Sequence, residues 1–305
     1  MTASPRILYQ FPTPTFIENI IVRPNGHLLL TTFREGSLFG LDPETTDPEP
    51  YLVIQLPNVS ALTGIVQIQP DVYAITGGTH VPPMRFASMK CFTVDVRQGL
   101  EQVKVEMVMD VTGTNMLNGM ANLPNNKSIC LSLDSIEGRV FRLDVGSRKV
   151  DVVYQHALLK PREDGKKVPL GANGAKIHNG HLHFTNSARE LFCRLKLKDD
   201  SSGEIEGEPE TLISNSDAVI DMSYDDFDIH AEEEVAYVGK HSDAIYKISL
   251  SDGRQELFAG GEGQEIIESP TCCALSKDRK KLFVGAAGKV GEFKGKIVEI
   301  DVENK

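Results

Sequence analysis

The feature that most constrains the fold is a sequence unit that recurs six times along the 305 residues. Each unit has a short apolar or β-branched run, a tight turn, a second run, a polar loop and a third run, as in ENIIV-RPNG-HLLLTTF-REGS-LFGLD from Glu18. Turns such as Asn25-Gly26 and Asn179-Gly180 tolerate the positive φ that two-residue hairpins require. One oxygen-bearing position aligns across the units at intervals of 45, 55, 55, 53 and 45 residues: Glu18, Thr63, Asn118, Asn173, Asp226 and Thr271.

This repeat predicts an all-β chain, a six-bladed β-propeller in which residues 1–305 form a single domain. The fourth, outer strands of five units are predicted at 51–56, 103–109, 149–155, 210–214 and 254–259. The last unit lacks an outer strand, and the unpaired N-terminal segment RILYQF (6–11) can fill that place and close the ring. A β-sandwich, the alternative all-β fold, does not explain six units of similar length.

The charge balance excludes several classes of partner. A net charge of −11 without a basic surplus argues against nucleic acid and anionic membranes, since phosphates recruit clustered Lys and Arg. No apolar run reaches the length of a membrane span, and the proline-interrupted N-terminus lacks the apolar region of a secretory signal. The five cysteines are scattered in apolar runs, as in a reduced protein. We therefore expect a cytoplasmic protein; its oligomeric state is left open.

A site is expected where the first strand of each blade begins, because these strands line the central channel of a propeller. The six aligned positions then form a ring of polar side chains at one height; channel water alone is the simpler explanation for their polarity. Loops on the same face add a mixed apolar and polar mouth, which suits an organic molecule better than an ion alone. The mouth residues predicted from these loops are His80, Met84, Phe86, Met116, Leu117, Lys240, His241 and Phe293.

Other features are predicted to have no chemical role. His178, His181 and His183 flank the Asn179-Gly180 turn on the opposite face of the ring. Cys272-Cys273 is typical of strand packing, and the charge run in the crossover 155–172 is typical of a solvated loop. The sequence contains no P-loop, GxGxxG, GxSxG or HExxH motif, so nucleotide use and triad hydrolysis have no support.

At the polar ring the chain resembles the regucalcin/gluconolactonase family of six-bladed propellers. Glu18 in IEN, Asn173 in ANG and Asp226 in YDDFDI match the positions that hold a divalent cation in that family, and Asn118 in LNG matches an Asn that touches metal-bound water or substrate. The chain departs from the family around these positions: Phe227 replaces a glycine, and there is no tryptophan. This resemblance implies a lactone hydrolase dependent on Ca²⁺ or Mg²⁺, with Glu18, Asn173 and Asp226 as ligands.

Across essentially the whole chain, the motifs RILYQFPTPTFIENIIVRPNGHLLLTTF, GSLFGLDP, LNGMANL, GANGAKI and DDFDIH resemble fungal propellers of secondary metabolism. Among these, the chain most resembles the hetero-Diels–Alderases that join a tropolone ortho-quinone methide to a humulene-type sesquiterpene. The resemblance implies a pericyclase without cofactor or metal, acting on a terpene and a polyketide-derived tropolone. A protein-binding scaffold is a third class of function, against which the 7% aromatic content and the absence of Trp argue mildly.

The pericyclase hypothesis assigns roles to two sets of residues. Catalytic or positioning groups are expected to be Asn118, Asn173, Asp226, Tyr224, Lys240 and His241. Substrate-binding residues are expected to be Glu18, Thr63, His80, Met84, Phe86, Met116, Phe227, Thr271 and Phe293. If the enzyme also promotes loss of water from a benzylic-type alcohol precursor, Asp226, His241 and Lys240 are the candidate acid/base groups.

Overall fold

The computed structural model of the chain describes residues 5–82, 84–163, 169–199, 201–215, 224–241, 243–261 and 263–302. These residues form 24 strands in six four-stranded antiparallel sheets, arranged as the six blades of a propeller. The predicted fold class is therefore confirmed. Three single-turn 3₁₀ helices, Leu100–Gln102, Ala157–Leu159 and Glu265–Ile267, lie in connecting segments.

The strands follow one another in chain order through the blades. Blade one comprises β2 (Ile17–Val22), β3 (Leu28–Thr32), β4 (Ser37–Leu41) and β5 (Tyr51–Gln55); blade two comprises β6 (Ala61–Gln69), β7 (Val72–Val81), β8 (Arg85–Asp95) and β9 (Lys104–Val111). Blade three comprises β10 (Leu117–Leu123), β11 (Asn126–Asp134), β12 (Arg139–Asp144) and β13 (Lys149–Gln155); blade four comprises β14 (Ala172–His178), β15 (His181–Asn186), β16 (Leu191–Leu197) and β17 (Ile205–Ser214). Blade five comprises β18 (Tyr224–His230), β19 (Val235–Lys240), β20 (Ala244–Ser249) and β21 (Gln255–Gly260).

The sixth blade joins the two ends of the described chain. Its strands are β22 (Pro270–Leu275), β23 (Lys281–Ala286), β24 (Lys296–Asp301) and, outermost, the N-terminal strand β1 (Pro5–Gln10). Strand β1 pairs antiparallel with β24 and buries Leu8. This closure by the N-terminal strand is the arrangement predicted from the missing outer strand, and it covers the outer edge of β24.

Apolar side chains between neighbouring blades form the core. Between blades four and five, for example, Phe192 and Phe227 pack edge to face at 5.0 Å between ring centroids, and neither is exposed. All five cysteines are buried free thiols, as expected from their apolar surroundings. Among the described residues, no helix has the length and apolarity needed to cross a membrane.

Candidate functional site

A cavity of about 240 Å³ lies at the face of the ring where the inner strands begin. Inner-strand residues, blade connections and the loops after second strands all contribute to it, as predicted for this face. We call it the upper cavity; its lining consists of Phe16, Glu18, Met84, Met116, Asn118, Leu170, Asn173, Ser187, Asp225, His241, Val290 and Phe293.

A β-bulge at the start of each inner strand determines which residues reach this cavity. In blade four Ala172 pairs with Asn186 and Ala175 with Phe184, so Asn173 lies at the bulge. In blade five the corresponding pairs are Tyr224 with Lys240 and Phe227 with Val238. The residue equivalent to Asn173 is therefore Asp225.

The predicted register is correct in blades one to four and in blade six but one residue late in blade five. Asp225 lines the upper cavity together with Glu18, Asn118 and Asn173. Asp226 is the next residue of the bulge, and its carboxylate does not line the upper cavity but bonds across the channel to Asn19 and Lys176. The position predicted for Asp226 in the polar ring is therefore wrong, and Asp225 takes its place.

The polar base of the upper cavity is partly hydrogen-bonded. His241 Nε2 lies 2.7 Å from Asp225 Oδ2, and the Asn173 amide nitrogen donates to Ser187 Oγ at 2.9 Å. Among the described residues, neither the Asn173 Oδ1 atom nor the His241 Nδ1 atom has a hydrogen-bond partner, although both are buried. The Asn118 side chain is also buried and makes no hydrogen bond to the described part of the chain. The base thus retains unused polar groups.

Two carboxyl groups at this base have shifted pKa values. Burial raises the pKa of Glu18 well above its usual range, and the nearby charges of Asp225 and Asp226 raise it further. Burial also raises the pKa of Asp225, against the opposing effect of its hydrogen bond with His241. A proton is therefore held more strongly here than at an exposed carboxylate.

An aromatic wall leads from the base to the mouth. Phe16 lies 5.9 Å from Phe293 and 5.3 Å from Phe33, and Phe33 lies 5.8 Å from Phe86, measured between ring centroids. Phe293 belongs to the β23–β24 loop, which is fixed at its base because Thr15 N donates to Phe293 O at 2.7 Å. At the rim, Val290 is 68% exposed and Phe293 is 38% exposed. The mouth is therefore apolar and open, in contrast to the polar base.

Seven of the predicted site residues line the upper cavity: Glu18, Met84, Met116, Asn118, Asn173, His241 and Phe293. Phe86 and His80 lie behind its wall, in the same aromatic cluster as Phe33. Leu117 is fully buried beside Met116. Residues 83, 164–168 and 242, which belong to the predicted mouth loops and the 155–172 crossover, lie outside the described residues.

Two residues of blade five that were expected to be catalytic or positioning groups are engaged elsewhere. Tyr224 is fully buried, and its hydroxyl bonds to the side chains of Asn215 and Gln255. Lys240 Nζ lies 4.0 Å from Glu190 Oε2 and above the ring of Tyr224. Neither side chain lines the cavity, because the blade interface encloses both.

Phe227, which was expected to bind substrate, does not line the cavity, because it packs against Phe192 in the core. The two threonines of the predicted ring are also withdrawn from the cavity. Thr63 Oγ1 bonds to Thr76 Oγ1 at 2.8 Å, and Thr271 Oγ1 donates to the backbone oxygen of Ile17 at 2.7 Å. Their hydroxyls connect neighbouring strands.

Sequence reasoning missed five lining residues: Phe16, Leu170, Ser187, Asp225 and Val290. For Ser187 a signal did exist, because it follows the second strand of blade four as His241 follows that of blade five. Phe16 and Leu170 precede inner strands and lie at the connections between blades. The exposed Val290 could not be recognised without the loop conformation.

A second cavity, of about 790 Å³, occupies the opposite face, where the inner strands end. We call it the lower cavity; Asn19, Lys176, His178 and Asp228 are among its lining residues. His178 pairs with Glu234 at 2.7 Å, which matches the expectation that the histidines belong to this face and to structural contacts. In the described part of the chain, no three His, Cys, Asp or Glu side chains are grouped as a metal site.

Comparison with known proteins adds to this geometry. A protein of Phoma sp named "Putative hetero-Diels-Alderase" is 25% identical over 305 aligned residues, which cover 92% of this chain and 85% of that protein. The chain resembles hetero-Diels-Alderases along most of its length. A second relative of that description, from Sarocladium schorii, is 26% identical over 263 residues, which cover 78% of this chain and 63% of that protein. No family model matches the chain.

Solved structures confirm the propeller architecture. The calcium-binding protein regucalcin from Agrobacterium tumefaciens superposes with a TM-score of 0.69 and 16% identity, covering 99% of this chain and 96% of that one. A luciferin-regenerating enzyme gives a TM-score of 0.70 at 12% identity, with the same coverage of both chains, 99% and 96%. At these identities the likeness concerns the fold alone.

Proposed function

We propose that this protein catalyses a hetero-Diels–Alder cycloaddition between a tropolone ortho-quinone methide and a humulene-type sesquiterpene alkene in fungal secondary metabolism. The observation that carries the proposal is a cavity with unused polar groups at its base and an aromatic, open mouth. The names of the two relatives support a cycloaddition. The polarity of the cavity suits an oxygen-bearing diene below an apolar alkene.

The reaction needs the two reactants to be held in one orientation and the diene to be polarised at its oxygen. The oxygen and the exocyclic carbon of the quinone methide each form a new σ bond to one alkene carbon. The two π bonds of the diene and the π bond of the alkene are consumed, one new π bond forms within the ring, and no group leaves. Holding both partners in one orientation can lower the barrier by several kcal/mol, up to about 7–11 in the best intramolecular cases. A hydrogen bond to the diene oxygen stabilises the charge that grows there, and water must be kept away because it would add to the quinone methide.

Asn118 is the donor that we assign to the diene oxygen. Its amide lies at the base of the upper cavity and is not committed to another described residue. The Asn173 amide nitrogen, in contrast, already donates to Ser187. We therefore assign Asn173 a structural role at the base of the cavity. The aromatic pair Phe16 and Phe293 then packs against the alkene.

A dehydration step is part of the proposal when the diene precursor is a benzylic-type alcohol. The C–O bond to its hydroxyl breaks, a proton joins that hydroxyl to form water, and the ring hydroxyl gives up a proton. The Asp225–His241 pair is the acid/base group that lines the cavity. Lys240, the alternative candidate, is enclosed with Glu190.

The test is whether the purified protein converts the precursor alcohol and humulene into the cycloadduct. The cycloadduct is detected by liquid chromatography and mass spectrometry. Asn118→Ala should lower kcat by on the order of 10²-fold, as expected for losing one such donor. Asn122→Ala is the matched control, because Asn122 is on the same strand but donates to Gln67 O beside the lower cavity. Equal losses in both variants would refute the assignment of Asn118.

A metal-dependent lactone hydrolase is the second candidate, because oxygen ligands suited to a hard cation converge in the upper cavity. Glu18, Asn173 and Asp225 would hold the ion, and the unpartnered Asn173 Oδ1 fits such a role. A bound Ca²⁺ or Mg²⁺ would act as a Lewis acid on a carbonyl oxygen. Asp225 replaces the predicted Asp226 in this set.

Metal analysis together with activity separates the two functions. Glu18→Gln removes a ligand charge but preserves size and hydrogen bonding. If Glu18→Gln or EDTA abolishes activity and releases a stoichiometric divalent ion, the hydrolase replaces the pericyclase. Cycloadduct formation that survives EDTA supports the pericyclase.

A further inference from the structure

The channel is interrupted between the two cavities. Asp226 accepts a hydrogen bond from the Asn19 amide at 2.8 Å and another from Lys176 Nζ at 2.9 Å. These three side chains come from blades one, four and five, and we call this cluster the neck. Asp226 is only 2% exposed, so the neck is a closed hydrogen-bonded bridge across the channel.

The inner strands of blades two, three and four also approach one another closely. A Cβ atom added at Gly64 would lie 2.5 Å from the backbone oxygen of Asn118, and one added at Gly119 would lie 2.2 Å from that of Asn173. The upper and lower cavities share none of their described lining residues. The upper cavity is therefore entered from the loop face and not through the channel.

The upper cavity is too small to enclose both reactants. Its volume of about 240 Å³ lies below the range of about 300–1,000 Å³ that is typical of pockets for drug-sized ligands. One oxygen-bearing ring fits at the base. A sesquiterpene then rests at the rim, where Val290 and Phe293 are exposed.

We infer that the two reactants bind in a compulsory order, with the oxygen-bearing ring first and the hydrocarbon second. This inference rests on the proposed cycloaddition. A hydrocarbon that settles on the rim covers the route to the polar base, and the exposed parts of Val290 and Phe293 give it little surface to pack against until a ring fills the base.

Dead-end inhibition tests the order with two unreactive probes, tropolone for the first reactant and cyclododecane for the second. Tropolone should be competitive against the precursor and mixed against the alkene. Cyclododecane should be competitive against the alkene and uncompetitive against the precursor, because it binds only after the base is filled. Competitive or mixed inhibition by cyclododecane against the precursor would overturn the inference. Absence of any cycloadduct would instead refute the proposed function.

Calorimetry gives a reading that does not depend on turnover. Tropolone should bind the free protein, whereas cyclododecane should bind only when tropolone is present. Phe293→Ala should raise the KM for the alkene by about tenfold or more and leave the dissociation constant of tropolone within twofold. Asn118→Ala should weaken tropolone binding instead. Measurable binding of cyclododecane to the free protein would contradict the order.

Discussion

Asp225 and Asp226 are consecutive in the chain, yet their carboxylates face different parts of the channel. Asp225 pairs with His241 at 2.7 Å in the upper cavity, whereas Asp226 pairs with Lys176 at 2.9 Å in the neck. Both residues lie in the bulge at the start of β18, where two residues oppose one on β19 and the regular alternation of side chains is interrupted. The first carboxylate is available for chemistry, and the second holds strands together.

Substituting the two aspartates separately should therefore give opposite results. Asp225→Asn should lower kcat for the dehydrating substrate by on the order of 10²-fold, because it removes an acid/base group, with little change in stability. Asp226→Asn should lower the free energy of unfolding by about 1–3 kcal/mol, because Lys176 loses a buried charged partner. Urea denaturation and steady-state kinetics on both variants provide the measurement. A stable, inactive Asp226→Asn variant would restore the role predicted for Asp226 from the sequence.

Closure of the ring by strand β1 can be tested within that strand. Leu8 is 7% exposed and Ile7 is 41% exposed, so the two neighbours differ in burial. Leu8→Ala should lower the free energy of unfolding by about 2–4 kcal/mol, whereas Ile7→Ala should change it by less than about 0.5 kcal/mol. Deleting residues 1–11 should cost several kcal/mol, because it uncovers the edge of β24 and removes the buried side chain of Leu8. A truncated chain that melts within a few degrees of the full-length protein would contradict the closure.

Glu18 should lower the stability of the folded protein at neutral pH. Its pKa in the folded state lies above 4.5, so the folded protein binds the proton more tightly than the unfolded chain does. The free energy of unfolding therefore decreases as the pH rises from about 4.5 to the folded pKa. Glu18→Gln should be more stable than the wild type at pH 7, and this advantage should vanish near pH 4.5.

Urea denaturation at both pH values measures this difference. Glu49→Gln, at an exposed site, is the control and should change the free energy of unfolding by less than about 0.5 kcal/mol. A Glu18→Gln variant that is less stable than the wild type at pH 7 would show that the carboxylate is paired in the folded protein.

His183 should make the fold sensitive to acid. Burial lowers its pKa to about 3, so between pH 6.5 and 3 the unfolded chain binds a proton that the folded protein does not. The free energy of unfolding should therefore fall as the pH drops below 6.5. His183→Leu should reduce the loss between pH 6.5 and pH 5 by about 2 kcal/mol, measured by urea denaturation. An unchanged pH profile would show that His183 is protonated in the folded state.

The sequence by itself determined the six blades and their closure, because both depend on local patterns. Alternating apolar runs and Asn-Gly turns such as Asn179-Gly180 specify hairpins, and the missing outer strand of the last unit indicates where β1 must pair. The polar positions Glu18, Asn118 and Asn173 were recognisable for the same reason, since they recur in register at the start of inner strands.

Only the tertiary structure decided which neighbouring side chain reaches the cavity. Periodicity cannot distinguish Asp225 from Asp226, because a bulge interrupts the two-residue alternation on which the prediction depends. Phe16 and Phe293 lie far apart in the chain, and their contact exists because ring closure brings the first and last blades together. Burial of Tyr224 and Lys240 is likewise decided by the blade interface that encloses them, and no local pattern encodes that packing.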